Sequence, residues 1–120
     1  KQMISGRQTV DLVDRINAYV DEHYMDQIGI NTIADMIDIS PNYLSRIYKL
    51  KTGENFIDHL TGVRMKKARE LMSGGQTSSV RETAERVGYF STRYFTKVFL
   101  KNTGMLPSEY MKRFVLSQEN

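Results

Sequence analysis

The sequence predicts an all-α protein of seven helices, and three features of its 120 residues indicate this class. Apolar residues recur at intervals of three and four over long stretches, whereas no stretch alternates apolar and polar residues with period two. Proline is absent from the interiors of these periodic stretches. Glycines stand where the stretches end, which is where a left-handed helix C-cap favours glycine.

The first four helices have recognisable boundaries. The first contains an apolar stripe that ends before Gly29, and the second has Thr32 three positions before an acidic residue, a capping pattern. The third begins at Ser40-Pro41, a cap followed by a proline at the first helical position, and ends at Gly53. The long fourth helix ends before paired glycines. The expected spans are about 9–24, 32–38, 41–51 and 54–73.

The last three helices follow the same logic. Ser79 and Glu82 form a capping-box pattern before the fifth helix, which ends at Gly88. Ser91 precedes the sixth helix and Gly104 follows it, and the seventh begins at the second proline. The expected spans are about 80–87, 92–102 and 107–115.

Composition disfavours several function classes. The chain has no cysteine, and its two histidines, His23 and His59, belong to no metal-binding motif, so we expect no thiolate chemistry, no metal and no cofactor. There is no nucleophile–base pair and no glycine-rich phosphate loop, so an enzyme is not expected. No apolar run is long enough to span a membrane. We expect a cytoplasmic protein and, since the chain begins without a methionine, a piece of a longer one.

Charge is distributed unevenly along the chain. Residues 1–63 contain six basic and nine acidic residues, a net charge of −3, whereas residues 64–113 contain eleven basic and four acidic residues, a net charge of +7. A basic half is typical of a protein that binds a polyanion such as nucleic acid. Ordinary solvation of helix surfaces by Lys and Arg is the alternative explanation.

An internal repeat organises the chain. The string SPNYLSRIYKLKTG from Ser40 matches STRYFTKVFLKNTG from Ser91 at an offset of 51, and the match continues upstream at an offset of 50. The second copy therefore has one extra residue in the turn between its helices. Each copy is a short helix, a tight turn and a longer helix that ends at glycine, which is the layout of a helix-turn-helix unit.

The second helix of each copy has a polar outward face. Such faces suit the major groove, where Arg and Lys bond guanine, Asn bonds adenine and a threonine methyl meets thymine. Ser40 and Ser91, as caps, leave amide groups and the positive helix end facing phosphates, and Tyr43 or Tyr94 is long enough to reach a phosphate. A solvated face and, for the tyrosines, core packing are the alternatives. The outward residues are Asn42, Ser45, Arg46 and Lys49 in the first copy and Thr92, Arg93, Thr96 and Lys97 in the second.

The helix between the copies is about as long as one turn of B-DNA. Some twenty residues at about 1.5 Å each span roughly 30 Å, and one turn of B-DNA is about 34 Å. A rigid connector of that length is able to hold two helices in consecutive major grooves on one face of the duplex. Its cations Arg64, Lys66, Lys67 and Arg69 either add attraction to phosphates or solvate the helix.

Several strings of the second half carry a family resemblance: VGY at 87–89, YFTKVF at 94–99, TG at 103–104 and PSEY at 107–110. With these strings, residues 30–114 resemble the DNA-binding domain of the AraC/XylS transcription regulators. The first-half strings PNYLSR and FIDHL resemble, in particular, two-component response regulators that carry this output domain.

The resemblance implies two helix-turn-helix subdomains joined by a long central helix, and site-specific control of transcription, more often activation. It implies double-stranded DNA as the partner, RNA polymerase as a further partner, and an N-terminal sensor or receiver domain outside this chain. An α-helical protein-interaction module without DNA specificity is the alternative. The expected segments are a linker at 1–8, a first subdomain at 9–53, a connector at 54–73, a second subdomain at 74–115 and a tail at 116–120.

The resemblance also assigns site residues. Base contacts fall at Asn42, Ser45 and Arg46 in the first subdomain and at Thr92, Arg93 and Lys97 in the second. Phosphate contacts are expected from Ser40, Tyr43, Lys49, Ser91, Tyr94 and Thr96.

Four departures from the family pattern carry expectations of their own. Leu100 stands where the family usually has a basic residue, which removes a phosphate contact. Leu106 replaces the usual Ser or Thr cap, so we expect the last helix to begin less firmly. Phe90 occupies a normally small or polar turn position, as a buried plug or as an apolar contact near a DNA sugar. The segment 73–79 is one residue longer than usual, and we expect it to be more flexible.

Overall fold

The computed structural model describes the backbone of residues 6–119 and the side chains of residues 12–114, and this part contains seven helices and no strand. The predicted all-α class with seven helices is therefore confirmed. The helices are α1 (Gly6–His23), α2 (Ile30–Ile37), α3 (Pro41–Thr52), α4 (Phe56–Ser73), α5 (Val80–Arg86), α6 (Thr92–Thr103) and α7 (Pro107–Glu119).

The terminal helices are longer than predicted. α1 begins at Gly6 rather than near residue 9, and α7 continues to Glu119 rather than ending near 115. Neither extension contains a proline, and the residues added to α7 include no glycine, so no local signal stops the helix. The extensions overlap the segments assigned to a linker and a tail, of which residues 1–5 and 120 lie outside the described part.

Serine side chains begin three of the helices, as predicted. Ser40 Oγ accepts a hydrogen bond from the Tyr43 amide at 3.1 Å, and Ser91 Oγ accepts one from the Tyr94 amide at 3.0 Å. Ser79 Oγ accepts from the Glu82 amide at 3.0 Å. The returning arm of this capping box is shifted by one residue, because the carboxylate of Glu82 accepts from the amide of Ser78 at 2.8 Å.

The predicted start of α2 is two residues late, whereas its predicted end is within one residue of the observed one. The helix begins at Ile30, so Thr32 lies inside it and is not a cap. Gly29 is the N-cap of α2 in an extended conformation (φ −152°) and not a C-cap of α1, because its carbonyl already accepts a helical hydrogen bond from the Ile33 amide at 3.3 Å. α2 ends at Ile37, and its C-cap is Asp38, whose φ of +60° is left-handed.

The start of α7 has a substitute for the missing cap. Leu106 offers no side-chain acceptor, but its amide donates to Glu109 Oε1 at 3.0 Å. The segment from Leu106 to Glu109 therefore forms one arm of a capping box. This hydrogen bond satisfies a backbone donor at the position where the sequence predicts a weaker start.

The chain divides into two compact units, residues 1–63 (unit 1) and 64–120 (unit 2), and the boundary falls inside α4. In unit 1, α3 packs against α1 and α2. The core combines aliphatic residues of these helices with the first turns of α4. Its buried residues are Leu12, Ile16, Val20, Ile33, Ala34, Leu44, Tyr48, Phe56 and Leu60.

Unit 2 is organised around aromatic rings, with α6 packed against α5 and α7. The Phe95 ring lies 5.6 Å from that of Tyr89 in the preceding turn and 5.7 Å from that of Phe99. Phe99 in turn contacts Tyr110 of α7 at a centroid distance of 5.6 Å. Edge and tilted contacts of this kind fix α6 against its neighbours through large buried surfaces.

The segment between α4 and α5, which the sequence predicts to be flexible, is anchored by hydrogen bonds. The Gln76 amide donates to the Leu71 carbonyl at 2.9 Å. Thr77 and Thr83 are buried with their hydroxyl oxygens 2.7 Å apart. Because Thr83 Oγ1 donates to the Ser79 carbonyl at 2.9 Å, Thr77 is the donor of this pair.

Candidate nucleic-acid interface

The two copies of the sequence repeat fold in the same way. α3 and α6 each have 12 residues, a serine N-cap and a glycine C-cap in the left-handed region, with φ of +83° at Gly53 and +80° at Gly104. The Gly53 amide donates to the Lys49 carbonyl, and the Gly104 amide to the Leu100 carbonyl, both at 2.8 Å. The repeat therefore specifies both ends of each helix.

The final turns also match. Thr52 Oγ1 donates to the Tyr48 carbonyl at 2.7 Å, and Thr103 Oγ1 donates to the Phe99 carbonyl at 2.8 Å. Each threonine oxygen also accepts a hydrogen bond at 3.2 Å from the amide two residues further on. The shared Thr-Gly pair thus closes both helices by the same hydrogen bonds.

Buried side chains fix which face of each helix points outward. Leu44 and Tyr48 in α3, and Phe95 and Phe99 in α6, are almost completely buried and occupy equivalent positions. The opposite faces carry the sequence-predicted site residues. Asn42, Ser45, Arg46, Lys49, Ser91, Arg93, Tyr94 and Lys97 are exposed, and Ser40, Tyr43, Thr92 and Thr96 are half-buried.

The turns before the two helices are built alike despite the extra residue. In unit 1 the Ile39 amide donates to the Ala34 carbonyl at 3.1 Å, and in unit 2 the Tyr89 amide donates to the Ala84 carbonyl at 2.9 Å. The residue before each donor has positive φ, +60° at Asp38 and +101° at Gly88. The turn at Gly88 was predicted from the sequence, but Asp38 carried no glycine signal.

The outward faces are electropositive. α3 and α6 each contain three basic residues and no acidic ones. Among the side chains of residues 12–114, no carboxylate lies within ion-pair distance of Arg46, Lys49, Arg93 or Lys97. Arg81 of α5 differs, because it pairs with Glu85 at 3.4 Å. The cations of α3 and α6 are therefore available to an anionic partner.

One of these cations is held against an aromatic ring. The guanidinium carbon of Arg46 lies 5.9 Å from the centroid of the Tyr43 ring, one turn earlier on α3. A cation–π contact at an exposed site contributes about 0.5–1 kcal/mol. It orients the Arg46 side chain along the outward face and gives Tyr43 a packing role there.

The repeat places two residues with different predicted roles at one position. Ser45, a predicted base contact, and Thr96, a predicted phosphate contact, are equivalent in the shared register. Thr96 Oγ1 donates to the Thr92 carbonyl at 2.9 Å, so its proton is used within the helix. The Thr96 oxygen is still able to accept a hydrogen bond.

Most of the predicted connector cations have partners within the chain. The Arg64 guanidinium lies over the Tyr89 ring at 5.2 Å, and Lys67 pairs with Glu70 at 3.7 Å. Arg69 donates to Asn102 Oδ1 at 3.5 Å. The Arg64 and Arg69 contacts are tertiary and have no periodic signature, so sequence reasoning missed them, whereas the Lys67–Glu70 pair is an i,i+3 contact within α4. Lys66 is exposed, with no ion pair to any described side chain.

The described part of the chain holds no group of three His, Asp or Glu side chains placed to bind a metal ion. None of the helices described is long and apolar enough to cross a membrane.

Known helix-turn-helix proteins resemble this chain in sequence and in fold. Residues 33–113 match a family described as a helix-turn-helix domain. YijO of Escherichia coli, described as an HTH-type transcriptional regulator, is 31% identical over 113 residues, which cover 94% of this chain and 40% of YijO. Such relatives are transcription regulators and not enzymes. The chain therefore spans less than half the length of YijO.

Solved structures share the fold. The C-terminal domain of AraT, a response regulator from Geobacillus stearothermophilus, is 36% identical, with a TM-score of 0.81 over 85% of this chain and 84% of that domain. The DNA-binding domain of AdpA, solved in complex with a target DNA, is 23% identical, with a TM-score of 0.80 over 90% of this chain and 96% of that chain. At that identity the likeness to AdpA shows the fold alone.

Proposed function

Because the chain belongs to the AraC-type helix-turn-helix family of DNA-binding transcription regulators, we propose that it reads one specific DNA sequence with two helices, α3 and α6. The observation that carries the proposal is the matched pair of outward faces, whose cations Arg46, Lys49, Arg93 and Lys97 lack carboxylate partners among the described side chains. Each helix enters the major groove of double-stranded DNA.

Base readout is assigned to six side chains of the two faces. Arg46, Arg93 and Lys97 donate to the O6 and N7 acceptors of guanine, and Asn42 pairs with the N6 and N7 edge of adenine. Ser45 and Thr92 have short side chains, which let the helix approach an A·T or a G·C base pair closely. Support comes from the exposure of five of these side chains, with only Thr92 half-buried.

Phosphate contacts are assigned to the edges of the same faces. Ser40 and Ser91 mark the positive N-terminal ends of the helices, where amide groups attract phosphate oxygens. Lys49, Tyr43 and Tyr94 flank the base-reading residues. Because the Thr96 oxygen and a phosphate oxygen are both hydrogen-bond acceptors, Thr96 contacts the phosphate only through a bridging water. These contacts position the helices without reading sequence.

We assign to α4 the role of setting the distance between the two DNA-reading helices, α3 and α6. Its 18 residues span about 27 Å at about 1.5 Å per residue. We assign residues 9–53 and 74–115 to the reading subdomains and 54–73 to the connector. With this spacing the two helices address consecutive major grooves, about 34 Å apart.

The wider role extends the same proposal. Like AraT, which is a response regulator, this domain is the output part of a longer cytoplasmic regulator with an N-terminal sensor or receiver domain. Activation of transcription through contact with RNA polymerase is the proposed outcome of DNA binding.

Salt dependence tests whether the partner is DNA or a protein. With about six phosphates neutralised, affinity for duplex falls about a thousandfold between about 50 and 200 mM salt, as fluorescence anisotropy measures. Lys49→Gln lowers the slope of log affinity against log salt by about one, whereas Arg81→Gln, which breaks a pair with Glu85, leaves it unchanged. Weak binding that is the same at low and high salt contradicts DNA recognition and favours a protein-interaction module.

A further inference from the structure

The most exposed large apolar side chain of the described chain stands at the entrance to α6. Phe90 is 87% exposed, although its neighbour Tyr89 is buried and Ser91 is the N-cap of the helix. The alternative of a buried plug is therefore wrong. Burial of this ring against a partner would remove its apolar surface from water and stabilise the complex.

The repeat explains why the ring has no packing role. A residue just before an N-cap commonly packs on the fourth helical residue, as a hydrophobic staple. In unit 1 this residue is Ile39, which packs against the core. In unit 2 the equivalent backbone position belongs to Tyr89, whose ring contacts Phe95 at 5.6 Å. Phe90 is the inserted residue, left over once Tyr89 has filled the staple position.

The surroundings of Phe90 indicate an anionic, not an apolar, partner surface. The next residues are the N-cap Ser91 at the positive end of α6 and the exposed cation Arg93, which has no ion pair with a described side chain. Tyr94, one turn into the helix, is 58% exposed. An apolar ring beside unpaired positive charge fits the major groove of DNA, where thymine is the base that offers a methyl group.

We propose that Phe90 contacts the C5-methyl group of a thymine at the edge of the sequence read by α6, and so determines specificity there. This inference rests on the proposed function, because it requires α6 to enter the major groove. It applies to one half-site only, since Ile39 is partly buried and packs against the core of unit 1. The contact selects thymine over cytosine and over uracil, which lacks the methyl group.

Replacing thymines by deoxyuracil, one at a time, in a selected binding site tests the contact. A deoxyuracil that removes one buried methyl group weakens binding of the unaltered protein about fourfold, and it does so at one position next to the bases read by α6. Phe90→Ala binds the thymine duplex about fourfold to tenfold more weakly and no longer responds to deoxyuracil at that position. Phe90→Leu, which keeps an apolar side chain, retains part of the response.

Matched controls separate this effect from others. Ile57→Ala, which removes a side chain 58% exposed on α4, changes neither the affinity nor the deoxyuracil response. The melting temperature of Phe90→Ala stays at that of the parent, because the ring buries little surface.

Three outcomes overturn the inference. If no deoxyuracil substitution distinguishes the parent from Phe90→Ala while Arg93→Ala still relaxes sequence preference, Phe90 does not read thymine and the proposed function stands. If Phe90→Ala keeps full affinity for DNA but loses a protein ligand, the ring belongs to a protein interface. If the parent protein shows no sequence preference at all, the proposed function fails and this inference fails with it.

Discussion

The hydroxyl of Tyr48 donates a hydrogen bond to Asn17 Oδ1 at 2.8 Å and so links α3 to α1 across the core of unit 1. The Tyr48 ring is 1% exposed and also contacts Phe56 edge-on at 6.0 Å. Burial of the phenol, with a smaller contribution from the negative charge of Glu54, raises the pKa of Tyr48 to about 12. This one side chain therefore holds the proposed reading helix of unit 1 from its inner face.

Tyr48→Phe is expected to reverse its effect on stability with pH. Near pH 7 it lowers the unfolding free energy by about 1 kcal/mol, because Asn17 loses its donor. In the parent protein Tyr48 titrates near pH 10 when unfolded and near pH 12 when folded, so the unfolding free energy falls by about 2 kcal/mol as pH rises through this window. Tyr48→Phe lacks this loss and is the more stable form at pH 12.

Urea unfolding of both proteins from pH 7 to pH 12 measures the difference. Tyr43→Phe, on the outward side of the same helix, is the control and changes the unfolding free energy at pH 7 by less than about 0.5 kcal/mol. A constant difference between the parent and Tyr48→Phe over the whole pH range contradicts the assigned role of the buried phenol.

Two glycine substitutions are expected to act in opposite directions. Gly88→Ala costs about 1–2 kcal/mol, because φ is +101° there and a Cβ atom is strained in that region. Gly62→Ala, in the interior of α4, stabilises by about 1 kcal/mol, since the added Cβ meets no atom within 4 Å and alanine favours the helix. Thermal unfolding distinguishes the two, and an unchanged melting temperature for Gly88→Ala contradicts the strained turn.

Ser91→Asp separates the capping role of this residue from its proposed phosphate contact. Aspartate caps helices as well as serine does, so the unfolding free energy stays within about 0.5 kcal/mol of the parent. The added negative charge faces a phosphate and lowers DNA affinity at least about tenfold at low salt. Ser108→Asp, in the exposed first turn of α7, is the matched control. Equal affinity for the two variants contradicts a phosphate contact at Ser91.

Arg46→Ala and Arg93→Ala are each expected to cost about 1–3 kcal/mol of binding free energy on the specific site, because each removes hydrogen bonds to guanine. Arg81→Ala, whose parent side chain pairs with Glu85, leaves binding unchanged. Isothermal titration calorimetry with one duplex measures the binding free energy of all three variants. A loss that is the same on unrelated duplex sequences identifies the arginine as a phosphate contact only.

Local signals predicted most of the fold. The serine caps and the glycines at 53, 88 and 104 act within a few residues, so the chain reveals them directly. Asp38 was missed because an aspartate in the left-handed region looks like any helix residue in the sequence. The start of α2 was placed two residues late because its N-cap is a glycine without a side-chain acceptor.

The candidate site was predictable only as far as the repeat extends. The register of Leu44 and Phe95 fixed the outward faces, so the outward positions of Arg46 and Lys97 followed from spacing, whereas their role as base contacts came from the family resemblance and stays a prediction. The partners of Arg64 and Arg69 lie 25 and 33 residues away along the chain. Tertiary packing selects such pairs, and a single sequence carries no local trace of them.

Selection from a random duplex library with the parent protein, Arg46→Ala and Arg93→Ala tests the central claim most directly. If α3 and α6 both read DNA, the selected sites contain two conserved blocks with centres about 10–10.5 base pairs apart, one turn of the duplex. Arg46→Ala relaxes preference in one block and Arg93→Ala in the other. A single block, or two variants that alter the same positions, contradicts reading by both α3 and α6.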